Sequence, residues 1–186
     1  MAKTSRILRI SVSAPELGPP PRIAILTVSD RSASGEREDR SGPALAAALT
    51  ELLGWACIAT ATISDDLDQI KEQLCHWADH ENMQLIITTG GTGFATRDVT
   101  PEATRSAIER VAPGLVEAIR AASLDITPYA MLSRAVAGIR EKCLIINFPG
   151  NPKAVREAIA VLAPVLPHAL DVLAEESATG IHARRP

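Results

Sequence analysis

The sequence predicts an α/β protein in which a mostly parallel sheet carries helices on both faces. Three observations predict this class. Short apolar segments alternate with helical segments, and a polar loop follows each of several strand-like segments. The chain is 46% hydrophobic but only 3% aromatic, so aliphatic side chains form the core. In open α/β sheets, ligands bind beyond the carboxyl ends of the strands, which makes those loops the candidate functional region.

The first half of the chain contains three segments that favour strands and two that favour helices. Residues 22–28 and 85–88 are apolar runs typical of buried strands, and residues 56–63 are rich in Ile and Thr. Residues 44–53 are rich in Ala and Leu, which favour helix. A Ser-Asp-Asp sequence then precedes a helix predicted over 67–80, which it can cap.

The second half begins with helices predicted over 101–111 and 113–124, each opening with proline. Residues 133–139 and 143–148 resemble two strands joined by a short polar link. This pair predicts an antiparallel element beside the parallel strands. The remaining predicted helices are 152–162 and 164–175.

The chain of 186 residues is expected to form one domain, over residues 22–176. Residues 1–21 are expected to be a flexible N-terminal extension, with a basic start and three prolines at its end. An organelle transit segment is the alternative for this extension. Residues 177–186 are expected to form a flexible tail.

Composition also excludes several classes of partner. The net charge of −3 and the scarcity of aromatic residues give no electrostatic or stacking basis for nucleic-acid binding. No apolar run approaches the ~20 residues that span a bilayer, so no membrane partner is expected. Cys57, Cys75 and Cys143 are widely spaced and are expected to be reduced, buried thiols. We therefore expect a cytoplasmic protein.

A glycine-rich loop after residues 85–88 is the strongest functional signal. Its glycines let the backbone approach a phosphate closely. It is neither a P-loop, because no Gly-Lys-Ser/Thr follows, nor a dinucleotide-binding motif, because it is too compact. An ordinary tight turn is the alternative, but a turn does not explain the Arg-Asp pair that follows. The loop residues are Thr89, Gly90, Gly91, Thr92 and Gly93, followed by Arg97 and Asp98.

Asp65 and Asp98 each follow a predicted strand, so their carboxylates are expected to face one site. Mg²⁺ prefers oxygen ligands, often one or two carboxylates together with phosphate oxygens. The pair is therefore a candidate site for the Mg²⁺ ion that accompanies a nucleoside triphosphate. The alternative is that Asp65 and Asp66 only cap the following helix, a role that we favour for Asp66.

A polar loop after the first strand could hydrogen-bond a heterocycle. The alternative is a solvated loop with a helix cap, and residue types alone favour that alternative. The candidate binding residues in this loop are Asp30, Ser32, Gly35, Asp39 and Ser41.

Three further motifs contain candidate functional residues. Ser133 and Arg134 begin a predicted strand, where Arg134 could bind a phosphate or simply lie at an exposed strand end. His76 and His80 are four apart on a helix, but no third metal ligand is evident, so a solvated helix face is favoured. A turn after the last predicted strand comprises Pro149, Gly150, Asn151 and Pro152.

Taken together, these motifs resemble the molybdopterin adenylyltransferases, the Mog-type enzymes that are similar to the G domain of gephyrin and its plant counterpart. The resemblance covers about residues 22–175. The glycine loop alone is shared with other proteins of the molybdopterin-binding fold. The Arg97–Glu102 segment and the residues around Ser133 narrow the resemblance to the adenylylating branch.

The resemblance implies a three-layer α/β/α fold of the MoaB/Mog-like type and a homotrimer. It implies that molybdopterin and ATP give adenylylated molybdopterin and pyrophosphate, with Mg²⁺ as cofactor and a molybdate-inserting enzyme as a possible partner. By this resemblance Asp65 and Asp98 match the two functional aspartates, and Ser133 matches a serine near molybdopterin. A molybdopterin storage protein and a nucleotide pyrophosphatase are the alternative functions.

Overall fold

The computed structural model describes residues 20–178, with side chains described through residue 175, so most of the predicted extension and tail lies outside the described residues. One sheet of six strands has the order β2-β1-β3-β6-β5-β4. The strands are β1 (Ile23–Val28), β2 (Cys57–Ile63), β3 (Leu85–Thr89), β4 (Arg110–Val111), β5 (Ala137–Arg140) and β6 (Cys143–Phe148). The helices are α1 (Asp30–Ala33), α2 (Ser41–Leu53), α3 (Leu67–Asp79), α4 (Thr100–Ala107), α5 (Pro113–Leu124), α6 (Pro152–Leu162) and α7 (Leu166–Ala178), with a 3₁₀ helix at Pro128–Leu132.

The predicted α/β class and three-layer arrangement are confirmed. Strands β2, β1, β3 and β6 run parallel, and β5 and β4 are antiparallel additions. Alternate residues of β1 face opposite cores. Ile23 and Ile25 belong to one with α2, α5, α6 and α7, whereas Ala24 and Leu26 belong to the other with α3 and α4. A strand buried on both faces explains why this segment is a continuous apolar run.

Helix α2 begins at Ser41, earlier than predicted, because a preceding carboxylate caps it. Oδ1 of Asp39 accepts hydrogen bonds from the backbone N–H groups of Ser41 at 2.9 Å and Gly42 at 3.1 Å. These bonds satisfy donors that the first turn of a helix leaves unpaired. The cap fixes the end of the polar loop against the sheet.

The helix predicted over 101–111 is wrong at its end. Helix α4 ends at Ala107, and the chain then becomes strand β4, whose Arg110 pairs with Ile139 of β5. The backbone N–H of Glu109 also donates to the carbonyl of Ile139 at 2.8 Å. Strand β5 needs a hydrogen-bonding partner on its outer edge, and this tertiary requirement overrides local helix propensity.

The strand predicted from Ser133 begins only at Ala137. The segment before it is held by other partners: the N–H of Arg134 donates to the carbonyl of Thr92 at 2.9 Å, and that of Val136 donates to Oδ1 of Asn147 at 3.1 Å. It therefore runs beside the glycine loop instead of pairing within the sheet. The last predicted helix likewise begins later, at residue 166 rather than 164.

No single helix within residues 20–178 combines the length and apolar character needed to cross a bilayer. Helix α6 and the first part of α7 meet that test only as a pair, and they are bent by 61° at the break between them.

Candidate active site

A polar cavity of about 330 Å³ lies at the carboxyl end of the parallel strands. The loops after β1, β2, β3 and β6 all contribute to its lining, which places four motifs that are distant in sequence around one space. This is the location that the strand order of an α/β sheet favours for a ligand. The sequence-predicted residues that line it are Asp30, Ser32, Asp39, Ser41, Asp65, Thr89, Gly90, Gly91, Asp98 and Gly150.

At Gly90 and Gly91, the glycine loop lies too close to neighbouring atoms to accept a side chain. Gly90 and Gly91 have positive φ values of 102° and 61°. A Cβ at Gly90 would overlap the carbonyl oxygen of Val28, and one at Gly91 would overlap Oγ1 of Thr100. Oγ1 of Thr100 in turn donates to the carbonyl of Gly90 at 3.0 Å. The loop is therefore a fixed backbone wall of the cavity.

The turn after β6 supports this wall from the neighbouring strand. Oγ1 of Thr89 donates to the carbonyl of Pro149 at 2.8 Å. A Cβ at Gly150 would lie 3.1 Å from Cα of Gly90, so the two loops are in close backbone contact. The side chain of Asn151 caps α6, accepting from the N–H of Lys153 at 2.9 Å. Pro152 is the first residue of that helix, and its predicted ligand role stays a prediction.

Asp65 and Asp30 hold each other through reciprocal hydrogen bonds. The N–H of Asp30 donates to Oδ2 of Asp65 at 2.8 Å, and the N–H of Asp65 donates to Oδ1 of Asp30 at 3.0 Å. These bonds join the loops after β1 and β2, which are adjacent parallel strands. They fix one oxygen of the Asp65 carboxylate and leave the other beside Gly91.

The carboxylates of Asp30 and Asp98, in the same cavity, affect the pKa of Asp65. Burial raises the pKa of Asp65, the hydrogen bond from Asp30 opposes this effect, and the negative charges of Asp30 and Asp98 raise the pKa further. The net result is a pKa above the usual aspartate value. A bound cation relieves such repulsion between nearby carboxylates.

Asp98 is oriented by its own loop. Its Oδ2 accepts a hydrogen bond from the N–H of Ala95 at 2.8 Å and lies against Gly93, where a Cβ would be 2.9 Å away. The carboxylate lines the cavity together with Asp65. The structure thus brings together the two aspartates that the sequence predicted to face one site.

Asp39 is held by the protein on both of its oxygens. Oδ2 accepts from the hydroxyl of Thr27 at 2.6 Å, and Oδ1 accepts from the hydroxyl of Ser41 at 3.0 Å as well as from the two N–H groups that it caps. Burial raises its pKa, but these hydrogen bonds outweigh that effect, so the pKa is lowered overall. The helix-cap alternative for this loop therefore describes Asp39, while binding of a heterocycle by the loop stays a prediction.

Arg97 forms an ion pair with Asp30. Its Nε donates to Oδ2 of Asp30 at 3.0 Å, and its Nη2 donates to Oδ1 at 2.9 Å. The hydrogen bonds from Arg97 lower the pKa of Asp30, and the N–H of Asp65 adds to this effect. The bidentate contact directs this guanidinium at a protein carboxylate.

Arg134 braces the glycine loop from the outer side. Its Nε donates to the carbonyl of Gly93 at 2.6 Å, Nη2 donates to the carbonyl of Asp98, and Nη1 pairs with Glu102. The side chain is 32% exposed, so it is not the exposed strand end considered from the sequence. Its predicted phosphate contact stays a prediction.

Ser133 precedes this brace and does not line the cavity. Its carbonyl accepts from Nη2 of Arg120 at 3.2 Å. The other predicted residues that are not on the cavity lining are Gly35, Thr92, Gly93, Arg97, Arg134, Pro149, Asn151 and Pro152.

Sequence reasoning missed two arginines on the lining, Arg31 and Arg37. Both lie in the polar loop, but basic side chains in a loop are usually solvated, so no local signal marked them. Three residues at or after the end of β1 also line the cavity without having been predicted as ligands: Thr27, Val28 and Ser29.

The alternative metal ligands do not form a centre. Within the described part of the chain, no group of three or more His, Cys, Asp and Glu side chains is arranged to hold a metal ion. Nε2 of His76 lies 3.2 Å from Oε1 of Glu81. The three cysteines are free, but the expectation of buried thiols is correct only for Cys143, whose pKa burial raises to about 12.

Comparison with protein families identifies the fold. The family described as "Probable molybdopterin binding domain" matches residues 24–168, most of the chain. The chain belongs to this molybdopterin-binding family. The resemblance drawn from the sequence motifs is therefore confirmed at the level of the family.

Curated relatives of this molybdopterin-binding chain are similar over most of its length. A molybdopterin adenylyltransferase of Helicobacter pylori strain J99 is 42% identical over 152 residues, which cover 81% of this chain and 86% of the relative. That of Escherichia coli K12 is 42% identical over 139 residues, covering 74% and 71% respectively. Gephyrin of Dictyostelium discoideum is 41% identical over 160 residues, but the match spans only 22% of gephyrin.

Solved structures of this molybdopterin-binding fold match most of the described domain. The molybdopterin biosynthesis enzyme MoaB of Thermus thermophilus has a TM-score of 0.78 and 46% identity, covering 83% of this chain and 97% of that one. The Mog protein of Mycobacterium ulcerans has a TM-score of 0.76 and 39% identity, covering 82% and 99%.

Proposed function

We propose that this chain is a molybdopterin adenylyltransferase, which transfers AMP from ATP to molybdopterin and releases pyrophosphate during molybdenum cofactor biosynthesis. The observation that carries the proposal is the placement of Asp65 and Asp98 in one cavity with the backbone of the glycine loop. Relatives named for this activity that are 42% identical support it. A storage protein would have no need for two carboxylates beside a phosphate-binding loop.

The two substrates are assigned to different residues of the cavity lining. The amides of Gly90–Gly93 are assigned to the phosphate oxygens, because glycine backbone lets a phosphate approach closely and Gly90 and Gly91 line the cavity. Asp30, Ser32 and Ser41 of the loop after β1 line the cavity and are assigned to the pterin side, whereas a pterin contact of Ser133, which is not on the lining, stays a prediction. The segment of Ser133 is tied to the glycine loop through the N–H of Arg134, which donates to the carbonyl of Thr92 at 2.9 Å.

The carboxylates fit Mg²⁺. Asp65 and Asp98 offer oxygen ligands on one lining, and burial together with mutual repulsion raises the pKa of Asp65, an unfavourable interaction that a cation relieves. Two carboxylates suffice, because Mg²⁺ commonly takes its remaining ligands from water and substrate phosphates. When bound, the ion neutralises phosphate charge.

The reaction needs positioning more than covalent chemistry. A terminal phosphate oxygen of molybdopterin attacks the α-phosphorus of ATP, the bond to the bridging oxygen of the β-phosphate breaks, and pyrophosphate leaves with that electron pair. The protein holds the two reactants in line and keeps the glycine loop rigid around the phosphates. No protein nucleophile takes part, which agrees with a lining composed of carboxylates, hydroxyls, two guanidinium groups and backbone.

A direct test mixes the protein with ATP, Mg²⁺ and molybdopterin and measures the AMP adduct by mass spectrometry. We expect adduct and pyrophosphate in equal amounts. Bound molybdopterin without adduct would show storage instead. Hydrolysis of ATP in the absence of molybdopterin would favour a nucleotide pyrophosphatase.

The carboxylates are tested one at a time. We expect Asp65→Asn and Asp98→Asn each to lower turnover by about tenfold or more, because each removes a metal ligand. The matched control is Asp66→Asn, since Asp66 only caps α3 through the N–H of Gln69 at 3.0 Å and Asn caps equally well. Turnover of either site variant within a few-fold of the control would contradict the metal role.

We also propose that the enzyme is a homotrimer. Five large apolar side chains are exposed over residues 124–132, of which Tyr129 at 77% and Met131 at 64% are the most exposed. A run of this kind on a folded surface favours a protein interface. Location in the cytoplasm and contact with a molybdate-inserting enzyme stay predictions.

A further inference from the structure

The cavity lining carries more negative than positive charge, which opposes the binding of a phosphate substrate. Four carboxylates line it, those of Asp30, Asp39, Asp65 and Asp98, against the guanidinium groups of Arg31 and Arg37. A triphosphate brings several more negative charges into this space. One Mg²⁺ ion offsets only part of that charge, so protein cations are needed beside the phosphates.

The other arginines near the cavity are already engaged. Arg97 makes two hydrogen bonds to Asp30, and Arg134 is bonded to the glycine loop and to Glu102. Within residues 20–175, the guanidinium groups of Arg31 and Arg37 form no hydrogen bond or ion pair. They are the lining cations left for a ligand in the described part of the chain.

A backbone turn holds these two arginines together. The N–H of Arg37 donates to the carbonyl of Arg31 at 3.0 Å, which closes the intervening loop. Gly35 allows the reversal through a φ of +78°, and a Cβ there would meet no atom within 4 Å. This gives Gly35 a role in the site although it does not line the cavity. Both residues are exposed and line the cavity, so a leaving group bound to them has access to solvent.

We propose that Arg31 and Arg37 form a subsite for the pyrophosphate moiety of the nucleotide, which binds the β- and γ-phosphates before transfer and pyrophosphate after it. The inference rests on the proposed adenylyl transfer. Paired guanidinium groups suit pyrophosphate because each presents several N–H donors to adjacent phosphate oxygens. They also stabilise the negative charge that develops on the leaving group as the bond to the α-phosphorus breaks.

The first test measures binding of inorganic pyrophosphate, with Mg²⁺ present, by calorimetry. We expect Arg31→Gln and Arg37→Gln each to raise the dissociation constant about tenfold or more, as loss of a charge-assisted hydrogen bond does. The matched control is Arg40→Gln, because Arg40 is exposed in the same loop but does not line the cavity. It should bind pyrophosphate within about twofold of the parent. Each variant is checked for an unchanged midpoint of thermal unfolding.

The second test separates the pyrophosphate moiety from the terminal phosphate of molybdopterin. We expect the KM for ATP to rise in both variants while the KM for molybdopterin stays unchanged. A rise in the KM for molybdopterin alone would overturn the assignment, as would pyrophosphate binding equal to the parent or equally weakened in Arg40→Gln. Adduct formation by the parent protein is measured alongside, so failure of this subsite is distinguished from failure of the proposed function.

Discussion

Gly90 lies too close to the backbone of the adjacent strand to carry a side chain. Its φ is +102°, and a Cβ would overlap the carbonyl oxygen of Val28, a backbone atom that cannot turn aside. The sequence marked this glycine only as a place where phosphate could approach. The structure adds that Gly90 brings the ends of the neighbouring strands β1 and β3 into close backbone contact.

We therefore expect Gly90→Ala to lower the free energy of unfolding by about 2 kcal/mol or more and to abolish most adduct formation. Chemical denaturation measures the first effect. The control is Gly114→Ala in α5, where a Cβ meets nothing within 4 Å and the φ is not positive. This control should be neutral or stabilise the protein by up to about 1 kcal/mol. Equal stability of the two variants would contradict the proposed constraint.

For several polar residues, the residue type alone does not predict the role in the structure. Asp39 and Arg97 have the chemistry of ligand-binding groups, but the structure commits the first to Thr27 and α2 and the second to Asp30. Asn147 carried no functional signal, yet its buried side chain donates to Thr88 and Thr104 and joins β6 to β3 and α4. Hydrogen-bond partners distant in sequence determine these roles.

One ion pair connects strand β5 with helices α3 and α4, at the end of the sheet opposite the cavity. Arg140 at the end of β5 donates to Oδ1 and Oδ2 of Asp79 at 2.7 and 2.6 Å, and Asp79 ends α3. The same guanidinium donates to the carbonyl of Ala107 at the end of α4 at 2.9 Å. With the two side chains only 24% and 26% exposed, this pair is better shielded than a surface salt bridge.

Asp79→Asn should destabilise the protein by about 1–2 kcal/mol near neutral pH. Hydrogen bonds from Arg140 lower the pKa of Asp79 below its usual value. The stabilisation is therefore complete above the unfolded pKa of about 4 and is lost as the pH falls through the lower folded value. Denaturation at several pH values should show the variant and parent converging below about pH 4.

The control for this pair is Glu72→Gln, which removes an exposed carboxylate from the same helix. It should change stability by less than about 0.5 kcal/mol at neutral pH. A pH-independent difference between Asp79→Asn and the parent would show that the ion pair is not its source.

Element boundaries were predicted well where a local signal exists and poorly where the sheet decides. Helix α5 and strand β6 have the predicted bounds, because proline or an apolar run marks them. Strand β4 was predicted as helix, since only the presence of β5 beside it makes two residues a strand. Strand β5 begins later than predicted for a similar reason, because the segment before it hydrogen-bonds to the glycine loop.

For the whole molecule, the exposed run over residues 124–132 predicts self-association. Light scattering coupled to size exclusion should give three times the mass of one chain. We expect Met131→Glu to shift the protein toward the monomer, because a charge is costly to bury in an apolar contact. Val172→Glu is the control, since Val172 is exposed at 41% but lies on α7 outside that run. A parent protein that is monomeric at micromolar concentration would contradict the trimer.

The sequence by itself determined the fold class and the region of the site. Alternation of strand and helix patterns is local, and parallel strands must end at the same edge of a sheet, so the loops after them had to meet. Those two facts brought Asp65, Asp98 and the glycine loop together in prediction. The cavity places them as expected.

Only the tertiary structure decided which polar side chains of that region remain available to a ligand. The loops after β1, β2 and β3 come within hydrogen-bond distance, which commits Asp30 to Asp65 and Arg97 to Asp30. The same folding leaves Arg31 and Arg37 on the lining with their guanidinium donors bonded to no other described residue. Charge and residue type are written in the sequence, but the pairing of charges depends on distances that exist only once the sheet has formed.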